Sequence, residues 1–544
     1  MNYTFRWFCL LFILFLTGCA VKRPLEPIKI EKREPDVRVG IVWGKDVVEF
    51  SIMRSSQITS HDGTFISGGI DGGRWRAEVK TSEQAFFVYR LATPSVNNTQ
   101  QAKKRIKEIE RMGHKAVLET IGKAIRIGGK LVHDNRRYRV LLRKSFANEK
   151  SAEQYMDAIW NRLETTVVRR KARSARGTIL LKNIENGQQF ESSKPILVRR
   201  SSVTLYDLPV GVGFHWETRE TRSYPETICF QLDNEGKLAV INILSLENYL
   251  RGVVPSEMPN SFPSEALKAQ AVAARSEVLS KLGLSHQNDP FDVCSDVHCQ
   301  VYSGLSKRGS STDRAIKRTR GLVLSKNRKI LNAVYSSVCG GHGEDNDKAW
   351  GGQSESYLQG RFDGTSGLKR YGLLSREGNV RNWIDSKPPA YCNTIMGKLP
   401  AALDYTKKYF RWEVQYTQEE LRSIIQEKTS RNVGSVQDLI SLERGSSGRI
   451  IRLKVRGNRD EFIIEGELNI RKALSNNTLW SSCFYVRNEG WRSGAPRQFV
   501  LKGAGFGHGV GMCQTGAAMM ALQGKRFYQI LQHYYKGVNI RRLY

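Results

Sequence analysis

Asn248-Tyr-Leu-Arg-Gly-Val-Val-Pro-Ser-Glu-Met-Pro259, running into Ser264-Glu-Ala-Leu-Lys-Ala-Gln-Ala-Val-Ala-Ala-Arg275, is the stretch that decides how this 544-residue chain is read. Pro255 and Pro259 bracket Glu257 and predict a stiff turn, because proline fixes φ and restricts the residue before it. Pro263 and Ser264 open a helix, and Lys281-Leu-Gly283 closes it with glycine as the stop. Leu267, Ala271, Ala274 and Val278 form one face, and its alanines let a neighbouring backbone approach closely. Lys268 and Arg275 lie seven apart on another stripe. A carboxylate held rigidly against a helix suits proton transfer to a bound substrate. A Glu at an ordinary solvated turn is the plainer alternative. An arginine close to Glu257 would lower its pKa, which is wrong for a general acid. Contact with an anionic substrate group is therefore the expectation for Arg275, with a structural ion pair as the alternative.

Upstream, 37–43 and 47–52 read as strands, followed by glycine-rich turns. Residues 86–170 carry a weak internal repeat: strand, Asn-marked loop, helix, strand, twice over. Ala102, Ile106, Ile109 and Met112 share one helical face, as do Ala152, Met156, Ile159 and Leu163. Such a pair forms a small α+β sandwich. The basic run 169–176 reads as a solvated linker, with an electrostatic contact to an anionic wall as the alternative. Strands dominate from 177 to 243, and 343–405 looks irregular. Strand-like alternation returns in 411–465, with helices near 418–427, 466–474 and 517–535. The fold class expected is α+β.

Lys and Arg number 85 against 53 Asp and Glu, a formal charge of +32. That excess points to a polyanionic partner, whether nucleic acid, an anionic membrane surface or an acidic wall polymer. No finger, homeodomain or RNA-binding signature is present, so nucleic acid is not an expected partner. The apolar run 7–16 has the length of a secretory h-region and is short for a membrane span. It ends in Leu16-Thr-Gly-Cys19, which resembles the bacterial lipobox. That resemblance implies a signal peptide over 1–18, acylation of Cys19, and a charged, proline-containing tether over 19–36, placing the chain in the cell envelope. Of nine cysteines, seven lie beyond Cys19, an odd number for a disulfide framework.

Four ordered blocks carry a more specific resemblance. They are Leu246-Glu-Asn-Tyr-Leu-Arg-Gly-Val-Val-Pro-Ser-Glu-Met-Pro with 266–275; Asp292-Val-Cys-Ser-Asp-Val-His-Cys-Gln-Val-Tyr302; Ala333-Val-Tyr-Ser-Ser-Val-Cys-Gly-Gly-His342 with Trp350-Gly; and Gly503-Ala-Gly-Phe-Gly-His-Gly-Val-Gly-Met-Cys-Gln-Thr-Gly-Ala517 with 530–537. Together they resemble the stage II sporulation protein D (SpoIID) family, which includes the amidase enhancer LytB. The resemblance covers 177–544 and implies a two-lobed α+β catalytic region with a groove. Segment 86–170 resembles the SPOR domain, a glycan-binding module, and 37–85 supplies additional strands.

What the family implies is lytic cleavage of peptidoglycan glycan strands stripped of stem peptides, leaving 1,6-anhydroMurNAc ends. Glu257 falls on the family's catalytic Glu and Arg275 on an Arg implicated in activity. Lys268, Tyr302, Gly340, Gly341, His508, Gly509 and Gln514 are the substrate-binding candidates. Alternating glycines in 505–511 allow close backbone approach to a sugar, and His508 either orients substrate or Glu257 or is structural. Family members usually carry Ser and an aromatic where this chain has Cys513 and Thr515. No cofactor is required by that reaction. Cys294 and Cys299 match positions that bind zinc in some members together with a His a few residues upstream; here the upstream candidate is His286, at longer spacing, and His298 is adjacent. Disulfides using Cys339 and Cys392 are the rival. A non-catalytic glycan-binding partner of a cell-wall amidase, and a zinc hydrolase built on the Cys/His cluster, are the alternative functions.

Overall fold

A computed structural model describes residues 34–544 apart from 62–64, 68–71, 160–162, 201, 215, 367, 396–398 and 493. The expected signal peptide, Cys19 and nearly all of the tether lie outside the described residues. The fold is mixed α+β. One seven-stranded sheet runs in the order Val293–Cys294, Asp36–Lys45, Leu238–Ser245, Thr227–Leu232, Ile196–Arg199, Gln57–Ser60, Phe65–Ser67. A six-stranded sheet runs Gln189–Ser192, Arg176–Asn183, Gly73–Glu83, Val47–Ile52, Val203–Val210, Thr218–Tyr224. Both face one core that includes Phe50, Trp75, Leu205 and Phe230. Strands from 36–83 and from 176–245 thus interleave, and the expected boundary between 37–85 and 177–544 divides the sequence without dividing the core.

Between the two stretches lies the doubly repeated strand–helix–strand. Phe86–Ala92, Thr99–Arg111 and Ala116–Ile121 form one copy; Arg137–Leu142, Glu149–Ile159 and Thr166–Arg173 form the other. The four strands pair antiparallel over their own small core, in the order last, first, third, second. The basic run 169–173 is an edge strand of this module and not a linker. Its charges are placed: Arg169 lies 3.8 Å over the Phe87 ring and Arg170 donates to Glu119 at 2.8 Å. Residues 412–503 form two three-stranded sheets over a further core. The stretch 343–405 holds short helices at Asn346–Trp350 and Glu377–Asp385.

The helix Ser264–Lys281 has the bounds expected, but its burial is different. It is covered all round: thirteen of its eighteen residues are buried, and helices 246–257, 310–318, 514–522 and 527–534 pack on it. A helix without a wet face belongs in a protein interior, and its small alanines permit four close neighbours. The expected helix near 517–535 is two, Gln514–Leu522 and Phe527–Tyr534. Gly524, at φ +83°, stands between them in a conformation that favours glycine.

Candidate functional site

Glu257 closes a helix, Leu246–Glu257, and does not sit in a turn. Pro255 is inside that helix, two residues from its end, so it leaves the Arg251 carbonyl without its usual i+4 donor and any kink it makes displaces only the last residues. The hydroxyl of Ser256 donates back to the Gly252 carbonyl one turn earlier at 2.6 Å. Met258 turns extended and Pro259 prevents continuation. The carboxyl is thereby presented at a rigid helix terminus.

Its surroundings come from the other blocks. The backbone N–H of Val301 donates to Glu257 Oε1 at 2.9 Å, and Gln514 Nε2 donates to the Glu257 carbonyl at 3.1 Å. Gln300 braces this contact. Its amide donates to Glu277 Oε2 (2.8 Å) and the Tyr335 hydroxyl (3.0 Å), while its oxygen accepts from Tyr249 (3.1 Å). Glu257 is half-buried. Burial pushes its carboxyl up to about 7; the Val301 hydrogen bond works against that shift and the Glu277 charge adds to it. A carboxyl with that pKa is shared between its acid and carboxylate forms at neutral pH, so it can give a proton and take one back.

Arg275 does not reach this carboxyl or the solvent. It is fully buried and its Nε and Nη2 donate to Glu247 Oε1 and Oε2, both at 2.8 Å. Tyr544 adds its hydroxyl to Glu247 Oε1 at 2.6 Å. Burial alone would raise the Glu247 carboxyl; Arg275, Tyr544 and Gly321 more than offset it and hold it below the ordinary value. The expectation of substrate contact gives way to an ion pair that locks the central helix onto the first turn of the Glu257 helix. Lys268 is likewise engaged, with Glu265 at 2.5 Å. Tyr302 is fully buried, donating to Asn242 at 2.6 Å, and so belongs to the core.

The glycines also serve packing. A Cβ on Gly509 would lie 2.5 Å from Cζ of the buried Arg449, and one on Gly341 would lie 2.7 Å from the Trp383 ring. Gly340 is packed against the backbone of Ala504 and Gly505. His508 accepts from the Val510 N–H at its Nδ1 (3.0 Å), which puts the proton of the neutral ring on Nε2. Burial, with Arg449 and Arg471, holds it down to about 3, so it stays neutral. Its ring lies against Trp350, at 4.9 Å between centroids. Gln514 alone of the substrate-binding candidates touches Glu257.

Sequence reasoning missed Gln300, Val301 and Glu277 as the surroundings of the acid. It also missed an aromatic group on the glycine-rich block: Phe214 stacks on Trp216 (4.7 Å), and Trp216 and Tyr409 flank Phe506 (6.3 and 4.7 Å). Only the unassigned aromatics in 214–216 could have signalled it.

His286, Cys294, His298 and Cys299 converge, with all four ligand atoms within 4.8 Å of one another. Cys299 Sγ is 3.4 Å from His286 Nε2 and 3.5 Å from His298 Nδ1. Asp289 Oδ2 holds the other nitrogen of His286 at 2.8 Å, the second contact that orients a metal-binding imidazole. The expected trio gains His298 as a fourth donor. All seven described cysteines are free, so the Cys339–Cys392 disulfide is not formed.

The family model of a stage II sporulation protein matches residues 234–325, and that of a domain of unknown function (DUF8618) matches 344–511. An uncharacterized protein of Brachyspira hyodysenteriae is 29% identical over 306 residues, covering 56% of this chain and 68% of that protein. The amidase enhancer of Bacillus subtilis is 28% identical over 308 residues, 54% of this chain, and the match spans only 40% of that protein's length. Stage II sporulation protein D of Bacillus amyloliquefaciens is 29% identical over 312 residues, 55% of this chain and 74% of that protein.

Proposed function

We propose that this chain, which belongs to the SpoIID and amidase-enhancer family, is a lytic transglycosylase acting on denuded peptidoglycan glycan. The observation that carries the reading is the single carboxyl of Glu257, raised to about 7 and held by one backbone N–H at the end of a helix. Its acidic neighbour Glu277 is occupied by Lys281 (2.5 Å) and Gln300 (2.8 Å), and so is not free to act as a nucleophile. A reaction needing one carboxyl fits better than the two-carboxylate glycosidase scheme. Glu257 gives its proton to the glycosidic oxygen between MurNAc and GlcNAc as the C1–O bond breaks. The carboxylate then removes the C6 hydroxyl proton while that oxygen bonds to C1, closing the 1,6-anhydro ring. The proton returns to Glu257 and no water is consumed.

In the same reading Gln514 fixes the acid's backbone, the aromatics around Phe506 offer faces for sugar rings, and the 86–173 module binds glycan. His286, Cys294, His298 and Cys299 have the donor set and spacing of a structural zinc site. Such an ion would cross-link the loop after the central helix; the chemistry above does not pass through it. Among the described residues no helix is long and apolar enough to cross a membrane; export and acylation at Cys19 would supply the envelope location.

Purified chain and its Glu257→Gln variant, incubated with denuded glycan and read by mass spectrometry, test the proposal. The unaltered chain should release 1,6-anhydro products and the variant should lose at least about a hundredfold in rate, as removal of a general acid requires. Equal release by both would sink the catalytic assignment. The amidase-enhancer name of one relative supports a second reading, a non-catalytic glycan-binding partner. It predicts no anhydro product from either sample, together with faster wall digestion by an added amidase. Loss of activity on chelation, with Glu257→Gln still active, would point instead to a hydrolase at the Cys/His cluster.

A further inference from the structure

A second group of ligand-type side chains lies away from the first. Cys339, Asp363 and Cys392 come from three separate loops and Cys513 from the short strand Met512–Cys513, and their ligand atoms all lie within 4.8 Å of one another. All four are buried, at 5, 1, 0 and 1% exposure. Cys339 Sγ is 3.5 Å from Cys392 Sγ and 3.4 Å from Asp363 Oδ2. Sulfurs bound about 2.3 Å from a tetrahedral zinc stand about 3.8 Å apart, close to this spacing.

The surroundings are those of a metal cage. Asp363 Oδ1 accepts the Tyr534 hydroxyl at 2.7 Å and faces His533 Nε2 at 3.6 Å, which turns Oδ2 toward the sulfurs. Cys513 Sγ accepts the N–H groups of Cys339 (3.2 Å) and Gly516 (3.4 Å), donors that favour a thiolate. Gly516 leaves room: a Cβ there would meet the Tyr534 hydroxyl at 2.2 Å and Asp363 Oδ2 at 2.7 Å.

We propose that Cys339, Asp363, Cys392 and Cys513 hold a structural zinc ion, distinct from any ion at the His286 cluster. Soft thiolates with one oxygen donor select zinc over magnesium or calcium. Binding sends the thiol protons to solvent and transfers no electrons. All four positions are filled by protein, so the site assigns no reaction. Its place is informative: the ion would tie the 333–342 block, two loops of the 344–511 region and Cys513, whose neighbour Gln514 holds Glu257.

The test is metal content of the full chain made in zinc-replete medium. A His286→Ala/His298→Ala double variant, which removes the first cluster, should keep about one zinc per chain, and adding Cys513→Ser should remove it. Cobalt exchanged into the double variant should show thiolate charge-transfer absorption. A double variant that melts like the unaltered chain yet holds no zinc overturns the proposal, as does a Cys339–Cys392 disulfide in peptide mass maps. Should the variants fail to fold, zinc X-ray absorption of the unaltered chain decides. A mean of about 2.5 sulfurs per zinc supports two sites, and about 2 with nitrogen ligands only opposes them.

Discussion

In the proposed reading one proton on Glu257 governs the chemistry, and the same proton contributes to the stability. The carboxyl moves from 4.5 to about 7 because burial penalises its charged form. If the acid form starts the reaction, kcat/KM on denuded glycan should fall as pH rises through about 7, measured as initial rates across pH 5–9. Stability runs the same way. The folded chain holds this proton between 4.5 and about 7 while the unfolded chain releases it, so folding weakens as pH rises through that window. Glu257→Gln removes the penalty. It should raise the melting temperature at pH 8 by an amount equivalent to about 1–3 kcal/mol, with no gain below pH 4, read by thermal scans at the two pH values. Arg275 behaves differently. Removing it strands the buried Glu247 carboxylate, so Arg275→Ala should cost about 3–5 kcal/mol in denaturant unfolding. The pH of the kcat/KM inflection should stay with Glu257. Glu257 stands out in sequence because prolines and a patterned helix flank it. The partner of Arg275 does not: a helical period identifies the stripe that carries a side chain, but Glu247 lies 28 residues away on another element.

The elements that aim these side chains show what local pattern can and cannot decide. Pro255 and Pro259 predict a turn, yet Pro255 sits in the last turn of a helix, where a kink displaces only the two residues that follow it. The bounds of Ser264–Lys281 were legible from caps and glycine; its burial on every side was not, because alanine is compatible with either solvent or core. His298 adjoins Cys299 in sequence, but spacing alone does not show that the chain folds both histidines onto the same two sulfurs. Gly252 gives an element-scale test. A Cβ there would lie 2.4 Å from the Tyr302 ring, which sits one residue after the Val301 N–H that holds Glu257. Gly252→Ala should therefore push the Glu257 helix from that loop and destabilise the fold by about 1–3 kcal/mol. Activity should fall more than stability predicts, seen as lower kcat in chain that remains folded.

The whole molecule is a core interrupted by insertions, and the most separable one carries the last prediction. Residues 86–173 have their own hydrophobic centre. They leave the six-stranded sheet after Gly73–Glu83 and return at Arg176–Asn183, and those two strands pair directly, Glu83 opposite Arg176. The module therefore fills the tip of a β-hairpin, where a two-residue Asn-Gly turn could close the strands in its place. Its repeat was legible because helix and strand periods recur within it. Its position in a hairpin was not, since pairing between strands flanking so long an insertion leaves no local pattern. It also docks on the core: Lys123 pairs with Asp292, Asn135 donates to the carbonyls of Ser280 and Leu282 (2.9 and 3.0 Å), and Arg541 donates to Val132 (3.2 Å). Half-exposed polar contacts of this kind contribute about 1 kcal/mol each or less. Ile125 of the module is also buried in the core that holds Phe50 and Trp75, with Val132 packed against it, so replacing 86–173 by Asn-Gly should cost a further ~1–3 kcal/mol of lost burial and lower the melting temperature while leaving one cooperative transition. If the module is the glycan-binding part, the shortened chain should still cleave short soluble denuded glycan, with kcat within about threefold of the full chain, because Glu257 and its contacts lie outside the module. Its sedimentation with denuded sacculi should fall at least about tenfold, the loss of one linked binding module. Undiminished sedimentation would reassign glycan binding to the core and leave the module a packing role against the loop that carries His286.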